Sequence, residues 1–190
     1  MYQKGSKNME FVQPIREKEK IEKVKNILLK NGYRDYLLFV AGINTGLRIS
    51  DLLRLRVSDI QNKSHIEIRE AKTGKNKRFY INPTLREHFD NYIASQASDS
   101  FLFCSRKGNN KPLTRIQAYR IINNAVKNAG VCDKIGTHTL RKTFGYWHYQ
   151  QFKDIAVLQE IFNHSAPSVT LRYIGINADI VDKTIAAFAL

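Results

Sequence analysis

Residues 138–173 read HTLRKTFGYWHYQQFKDIAVLQEIFNHSAPSVTLRY. His138 and Arg141 open this stretch, His164 follows 23 positions after Arg141, and Tyr173 closes it nine positions later. Guanidinium groups bind phosphate oxygens, imidazoles move protons, and a phenol can act as a nucleophile. The stretch therefore predicts chemistry on a phosphate ester.

Helical patterns cover most of this stretch. One helix is predicted from about 137 to about 151, and a second begins at Asp154, a favoured N-cap residue. Pro167 interrupts the pattern, because proline starts a helix but does not continue one, and a short helix then carries Tyr173. The residues predicted to face inward on the second helix are Ile155, Leu158 and Ile161.

The N-terminal half predicts two longer helices and one short one. The first follows Pro14 and ends at Gly32, the second covers 33–45, and the short one covers 49–55. The word TGLR at 45–48 places Arg48 at the junction near Gly46. The apolar stripe of the first helix consists of Ile21, Val24 and Leu28.

A β-hairpin is predicted between these helices and the C-terminal ones. Residues 65–69 alternate with period two, residues 78–81 form a second β-like run, and the turn between them carries Lys72 and Lys75. Residues after 84 are mainly helical, including a helix capped by Thr114. The predicted inward stripe of that helix is Tyr119, Ile122, Val126 and Ala129. The predicted fold class is α+β, mainly α, with a small antiparallel β-sheet.

Composition limits the classes of function. The chain has 190 residues, 43% of them hydrophobic, which suits one domain over 14–190 preceded by a flexible arm over 1–13. A net charge of +14, from 31 basic and 17 acidic residues, favours a nucleic-acid partner. No apolar run reaches the roughly 20 residues of a membrane span, and the two cysteines lack metal-site spacing. We therefore expect a cytoplasmic, nucleoid-associated protein without cofactor or metal.

Cleaving a phosphodiester without a metal sets three requirements. Charge on the phosphorane must be neutralised, and the bidentate guanidinium groups of Arg48 and Arg141 suit this task. A Tyr173 nucleophile, with an ordinary pKa of about 10, needs a nearby base or positive field. The leaving 5′-alkoxide needs a proton donor, for which Lys72 on the hairpin is a candidate and Lys75 a competitor.

These motifs together resemble the catalytic domain of the tyrosine recombinase family, also called phage integrases, over about residues 14–175. The resemblance implies a site-specific DNA recombinase that cleaves and rejoins strands through a covalent 3′-phosphotyrosine, without ATP. The implied catalytic roles are a phosphate clamp for Arg48 and Arg141, general acid for Lys72, proton transfer for His138, phosphate support for His164 and nucleophile for Tyr173.

The sequence departs from the family pattern at two positions beside the motifs. Lys142 follows Arg141 where many relatives have histidine, and Asn163 precedes His164 where glycine is commoner. Lys142 is interpreted as lying outside the catalytic set. Two alternatives stay open: type IB topoisomerase-like relaxation of DNA, and a DNA-binding accessory protein that kept the fold. A two-metal nuclease is disfavoured, because no carboxylate cluster stands out in the sequence.

The resemblance also predicts domain organisation and partners. Relatives usually carry a separate N-terminal core-binding domain, which is expected to be absent here, so that the chain is either minimal or a fragment. The expected partners are double-stranded DNA, three further copies of the chain in a tetramer on DNA, and accessory DNA-binding proteins. The amphipathic C-terminal tail, 176–190, is predicted to dock either on its own core or on a neighbouring protomer.

Overall fold

The computed structural model describes residues 12–71, 74–136, 138–176 and 185–188. In this part of the chain the architecture is mainly helical, with one two-stranded antiparallel sheet. The predicted fold class is therefore confirmed. The elements in chain order are α1 (Lys18–Asn31), α2 (Tyr33–Thr45), α3 (Ile49–Leu52), β1 (His65–Arg69), β2 (Asn76–Tyr80), α4 (Pro83–Ile93), α5 (Arg115–Asn128), α6 (Thr139–Phe152), α7 (Ile155–Phe162) and α8 (Pro167–Ile174).

Helices α1 and α2 pack against each other with a single residue between them. That residue is Gly32, and its φ of 135° is a conformation that other residues rarely adopt. The predicted stripe of α1 is buried, as its sequence pattern indicates; it consists of Ile21, Val24 and Leu28.

The segment 12–17, which precedes α1, has no regular secondary structure and is hydrogen-bonded to α6. The Ile15 N–H donates to the Thr143 hydroxyl at 2.9 Å, and the Trp147 indole N–H donates to the Ile15 carbonyl at 2.9 Å. Helix α1 therefore begins at Lys18 instead of directly after Pro14. Most of the predicted N-terminal arm, residues 1–11, lies outside the described residues.

The hairpin matches its prediction except for the start of its second strand. Strands β1 and β2 are antiparallel, with His65 opposite Tyr80, and β2 begins at Asn76, before the predicted start at 78. Ile66 and Phe79 are buried on the inner face, as period-two alternation requires. We call residues 70–75 the hairpin tip; Lys72 and Thr73 within it lie outside the described residues.

Helix α5 has the predicted cap but a slightly rotated buried face. The Thr114 hydroxyl accepts from the Gln117 N–H at 3.2 Å, and the Gln117 side chain accepts from the Thr114 N–H at 2.9 Å. The prediction that Tyr119 faces inward is wrong, because Tyr119 is exposed and Ala118 is buried in its place. The other predicted positions are buried: Ile122, Val126 and Ala129.

Close packing of α2 on α6 brings the TGLR turn to the first turn of α6. A Cβ added to Gly42 would lie 2.4 Å from the Leu140 Cδ1, and one added to Gly46 would lie 2.4 Å from the Phe144 Cδ1. Gly46 also ends α2 in the left-handed conformation, with φ of 64°. Glycine at both positions therefore sets the distance between the two helices.

The last two helices enclose a second small apolar cluster, whose buried members are Leu158, Phe162, Ile174 and Ile176. Of the predicted inward residues of α7, Leu158 is fully buried, whereas Ile155 and Ile161 are half-buried. Most of the predicted tail, residues 177–184 and 189–190, lies outside the described residues. None of the helices in the described part is long and apolar enough to cross a membrane.

Candidate active site

Arg48 is placed by the turn between α2 and α3. The Thr45 hydroxyl donates to the Ala41 carbonyl at 2.7 Å and accepts from the Leu47 N–H at 3.2 Å, which fixes the turn around Gly46. The Arg48 guanidinium is largely buried and forms an ion pair with Glu70 on the hairpin tip. The turn therefore directs a cation toward the hairpin.

Arg141, in the first turn of α6, lies in the interior between two other elements. Its guanidinium donates to the Gly46 carbonyl at 2.5 Å and to the Phe162 carbonyl at 3.1 Å, and only 3% of the residue is exposed. The guanidinium carbon also lies 4.3 Å from the Phe162 ring centroid. Burial lowers the pKa of Arg141, but arginine keeps its charge in proteins. Arg141 thus links the TGLR turn to the end of α7.

His138 occupies the N-cap position of α6 and contacts Tyr173 of α8. The His138 Nδ1 and the Tyr173 hydroxyl oxygen lie 3.1 Å apart, within hydrogen-bond distance. His138 is exposed, so its imidazole can exchange protons with solvent. The pair brings a proton acceptor to the phenol from a helix 35 positions away in sequence.

His164 follows α7 and packs against the Tyr173 ring with centroids 5.1 Å apart. Its Nδ1 lies 3.0 Å from the Thr170 hydroxyl. Burial, reinforced by the charges of Arg141 and Arg48, lowers the pKa of His164 to about 4. In the DNA-free protein His164 is therefore neutral at physiological pH.

Tyr173 lies at the centre of these groups. Its ring packs edge to face on Phe162, with centroids 5.4 Å apart. Burial raises the pKa of the Tyr173 phenol to about 12, although the charges of Arg141 and Arg48 and a hydrogen bond with Arg141 lower it. The phenol is therefore protonated near neutral pH and must lose its proton during any nucleophilic attack.

Lys142, which the sequence places outside the predicted catalytic set, lies beside the Tyr173 ring. Only 7% of this residue is exposed, and its ammonium nitrogen lies 5.0 Å from the Tyr173 ring centroid. Burial and the nearby charge of Arg16 lower the pKa of Lys142.

The hairpin carries lysines that contact the end of α7. Lys72, the predicted general acid, lies outside the described residues. The ammonium group of Lys75, its competitor, lies 3.3 Å from the Asn163 side-chain oxygen, one position from His164 in sequence. Lys77 on β2 donates to the Glu160 carbonyl at 2.6 Å. Both described lysines therefore join the hairpin to the end of α7.

Two acidic residues at the base of the hairpin complete the site. Asp51 is 1% exposed, and its carboxylate accepts from the Ala71 N–H at 3.0 Å. Glu70 is 2% exposed and pairs with Arg48, and no motif in the sequence marked it as a site residue. The sequence signal that could have identified Glu70 is its position directly after a strand and two residues before Lys72.

Five of the six predicted catalytic residues are thus brought together from four separate parts of the chain. They are Arg48, His138, Arg141, His164 and Tyr173. Among the described residues, no group of three or more His, Cys, Asp or Glu side chains is arranged to hold a metal ion.

The family model described as "Phage integrase family" matches residues 15–179. The chain belongs to the phage integrase family. It is 52% identical over 171 residues to the "Probable integrase/recombinase YoeC" of Bacillus subtilis, and the match covers 90% of this chain and 93% of that protein. Integrase and tyrosine recombinase are the names of its relatives, so the predicted family is confirmed.

Solved structures agree with the fold of this phage integrase family member. A crystal structure of XerA recombinase has a TM-score of 0.72 at 21% identity, covering 92% of this chain and 64% of that one. A post-cleavage complex of the XerH site-specific recombinase with palindromic difH substrate has a TM-score of 0.70 at 21% identity, covering 93% and 53%. The chain thus spans about half to two thirds of these recombinases.

Proposed function

We propose that this chain is a site-specific DNA recombinase that cleaves and rejoins strands through Tyr173. One observation supports the proposal most directly: the phenol of Tyr173 lies within hydrogen-bond distance of His138 and beside the buried Arg141. A protein that only binds DNA has no need of a partly buried phenol between a proton acceptor and a phosphate-binding cation. The family relationship supports the same reaction class.

The proposed cleavage step balances as a single displacement at phosphorus. The Tyr173 oxygen attacks the phosphorus as its proton passes to His138, and a bond to the 3′-phosphate forms. The bond from phosphorus to the 5′-oxygen breaks, and that oxygen takes a proton from Lys72. Rejoining is the reverse reaction with a 5′-hydroxyl of another strand, and the phosphotyrosine retains the energy of the original bond.

The two arginines have different parts in this mechanism. Arg141 is held rigidly by the Gly46 and Phe162 carbonyls, so it offers its remaining donors to the phosphate from a fixed position. Arg48 lies on the turn after α2, where its guanidinium pairs with Glu70. Both charges also lower the pKa of Tyr173 against the effect of burial, which favours the phenolate that attacks.

We also propose that the working form is an assembly on double-stranded DNA. A net charge of +14 suits a DNA partner, and strand exchange needs two duplexes, which favours four copies of the chain. Tail docking between protomers, accessory proteins and a cytoplasmic, nucleoid-associated location are further predictions.

A covalent-adduct experiment tests the proposal without knowledge of the target site. The protein is incubated in EDTA with nicked duplexes that carry a randomised segment, and adducts that survive denaturing gels are recovered and sequenced. We expect wild type to form adducts and to enrich a defined sequence, and Tyr173→Phe to form none. Tyr149→Phe, on α6, is the matched control and should react as wild type does.

Three other results would contradict parts of the proposal. Wild type without adducts would overturn the catalytic assignment and favour an accessory DNA-binding protein. Adducts that persist in Tyr173→Phe would assign the nucleophile elsewhere. Adducts without sequence enrichment, together with relaxation of any supercoiled plasmid, would favour topoisomerase-like activity.

A further inference from the structure

Glu70 is a buried acidic residue that the proposed mechanism does not use. It directly follows β1, its side chain is 1% exposed, and its carboxylate pairs with the guanidinium of Arg48. Arg48 is itself only 15% exposed in its side chain. The ion pair is therefore shielded from water, unlike the exposed pair of Glu67 with Arg78 on the same hairpin.

The backbone of Glu70 closes the hairpin tip. Its N–H donates to the Lys75 carbonyl at 2.9 Å, and its carbonyl accepts from the Gly74 N–H at 2.9 Å. Residues 71–73, with Lys72 at their centre, lie between these bonds. One residue thus closes the tip through its main chain and reaches the phosphate-binding arginine through its side chain.

A second contact fixes the tip at the next position. The Ala71 N–H donates to the buried Asp51 carboxylate, three positions after Arg48 in the same segment. The two residues before Lys72 are therefore both attached to the segment that carries Arg48. The position of the tip and the direction of the Arg48 guanidinium depend on each other.

The electrostatics explain why the pair persists. A buried carboxylate without a cation is strongly unfavourable, so Glu70 stays beside Arg48. The guanidinium has five N–H donors, and Glu70 accepts from Nη1, so donors remain for a phosphate oxygen. The Glu70 carboxylate also raises the pKa of Arg141 and Lys77 against the effect of their burial. It thereby offsets repulsion among the site's cations.

We propose that Glu70 is a positioning residue, which couples the phosphate-binding Arg48 to the hairpin tip that carries Lys72. The direction of the Arg48 guanidinium and the described ends of the tip, 70–71 and 74–75, are then set as one unit. This inference rests on the proposed strand-cleavage function and names a determinant of it outside the six residues that resemble the family's catalytic set.

The principal test compares Glu70→Gln with Glu67→Gln, which changes the same residue type on the exposed face of the same hairpin. The substrate is the nicked duplex enriched in the adduct selection, at saturating concentration. We expect Glu70→Gln to lower the single-turnover rate about 10- to 100-fold, as a small misplacement of reacting groups does. Glu67→Gln should keep the wild-type rate. Equal rates for both variants would overturn the proposal.

A sulfur atom in place of the bridging 5′-oxygen separates coupling from a merely structural effect. A thiolate leaves without a proton donor because it is far less basic than an alkoxide. We expect the loss of single-turnover rate in Glu70→Gln to be severalfold smaller on this substrate, since part of that loss comes from a misplaced Lys72. An unchanged loss of rate would mean that Glu70 acts on Arg48 alone, and it would contradict the coupling.

Two further measurements keep the test decisive. Glu70→Asp retains the charge but shortens the side chain, and it should also slow the reaction while folding normally. Trypsin digestion of the DNA-free protein should cut after Lys72 and Lys75 severalfold faster in Glu70→Gln than in Glu67→Gln. Equal digestion rates for the two variants would contradict the coupling, whether or not the wild-type protein forms adducts. Failure of the wild-type protein to form adducts would contradict only the proposed function.

Discussion

At the scale of the residue, the ionisation of Tyr173 is the central property of the site. Burial raises its pKa to about 12, and the surrounding cations only partly offset this effect. Residue type and spacing in the sequence predicted that the phenol would need a base and a positive field. They did not reveal that Lys142 lies beside the Tyr173 ring, because a buried lysine gives no local signal.

Substitution of Lys142 should change the pH dependence of adduct formation. Its ammonium lies over the Tyr173 ring and stabilises the phenolate more than the phenol. We expect Lys142→Met to shift the alkaline rise of the cleavage rate to higher pH and to slow cleavage about 3- to 10-fold at pH 7. Lys142→Arg, which keeps the charge, should lie closer to wild type. Identical pH–rate profiles for Lys142→Met and the wild-type protein would contradict this role.

His164 should make the folded state sensitive to acid. Its pKa is lowered to about 4 in the folded protein, below the ordinary value of about 6.5. The unfolded chain therefore binds more protons between these values, so this contribution to stability is complete above pH 6.5 and is lost as pH falls toward 4. The urea midpoint should fall less between pH 7 and pH 4.5 in His164→Asn than in wild type.

The matched control for that experiment is His65→Asn on β1. It removes a histidine from the hairpin without touching Arg48, Arg141 or Tyr173. We expect the His65 variant to keep the acid sensitivity of wild type. If His164→Asn and His65→Asn lose stability equally with falling pH, burial of His164 is not the cause.

At the scale of the element, local patterns predicted most helices and both strands. The cap of α5 and the hairpin alternation follow from residues within a few positions of each other. The predictions from local patterns are wrong where a tertiary contact determines the start or the buried face of a helix. Residues 12–17 stay outside α1, and Ile15 among them is hydrogen-bonded to α6. Helix α5 buries Ala118 in place of Tyr119.

Gly46 ends α2, and the position of Arg48 in the site depends on the turn that it forms. It requires a positive φ, and a Cβ there would overlap the Phe144 ring. We expect Gly46→Ala to lower the free energy of unfolding by about 2–4 kcal/mol, from backbone strain and overpacking together. It should also abolish adduct formation, because Arg48 follows within the same turn. Chemical denaturation and the adduct gel measure the two effects.

Gly130 provides the control for Gly46. It has a similar φ of 77°, but a Cβ there would meet nothing within 4 Å. Gly130→Ala should therefore cost only the strain of the left-handed conformation, about 1–2 kcal/mol, and leave adduct formation intact. Equal losses of stability at both positions would mean that the Phe144 contact is unimportant.

At the scale of the whole molecule, the charge of +14 makes DNA binding a salt-dependent property. The hairpin extends cations beside the site, among them the exposed Lys75. We expect Lys75→Ala to reduce the slope of log affinity against log salt by about 0.9, one phosphate contact. Lys23→Ala, exposed on α1, should leave the slope unchanged. Fluorescence anisotropy with a labelled random-sequence duplex measures both.

By itself the sequence determined the family, the fold class and the identities of the residues that the mechanism employs. These depend on residue type, periodicity and short spacings, which are local properties of a chain. The catalytic roles stay predictions until the adduct experiment is done, and Lys72 lies outside the described residues.

Only the tertiary structure decided which of these groups are buried and paired. Arg48 and Glu70 are 22 positions apart in sequence, and His138 and Tyr173 are 35 apart. Their contacts, and the pKa values of His164 and Tyr173 that follow from burial, exist only after α2, α6, α7, α8 and the hairpin pack together. Desolvation and long-range charge pairing depend on distances in space, and no local pattern in the sequence specifies those distances.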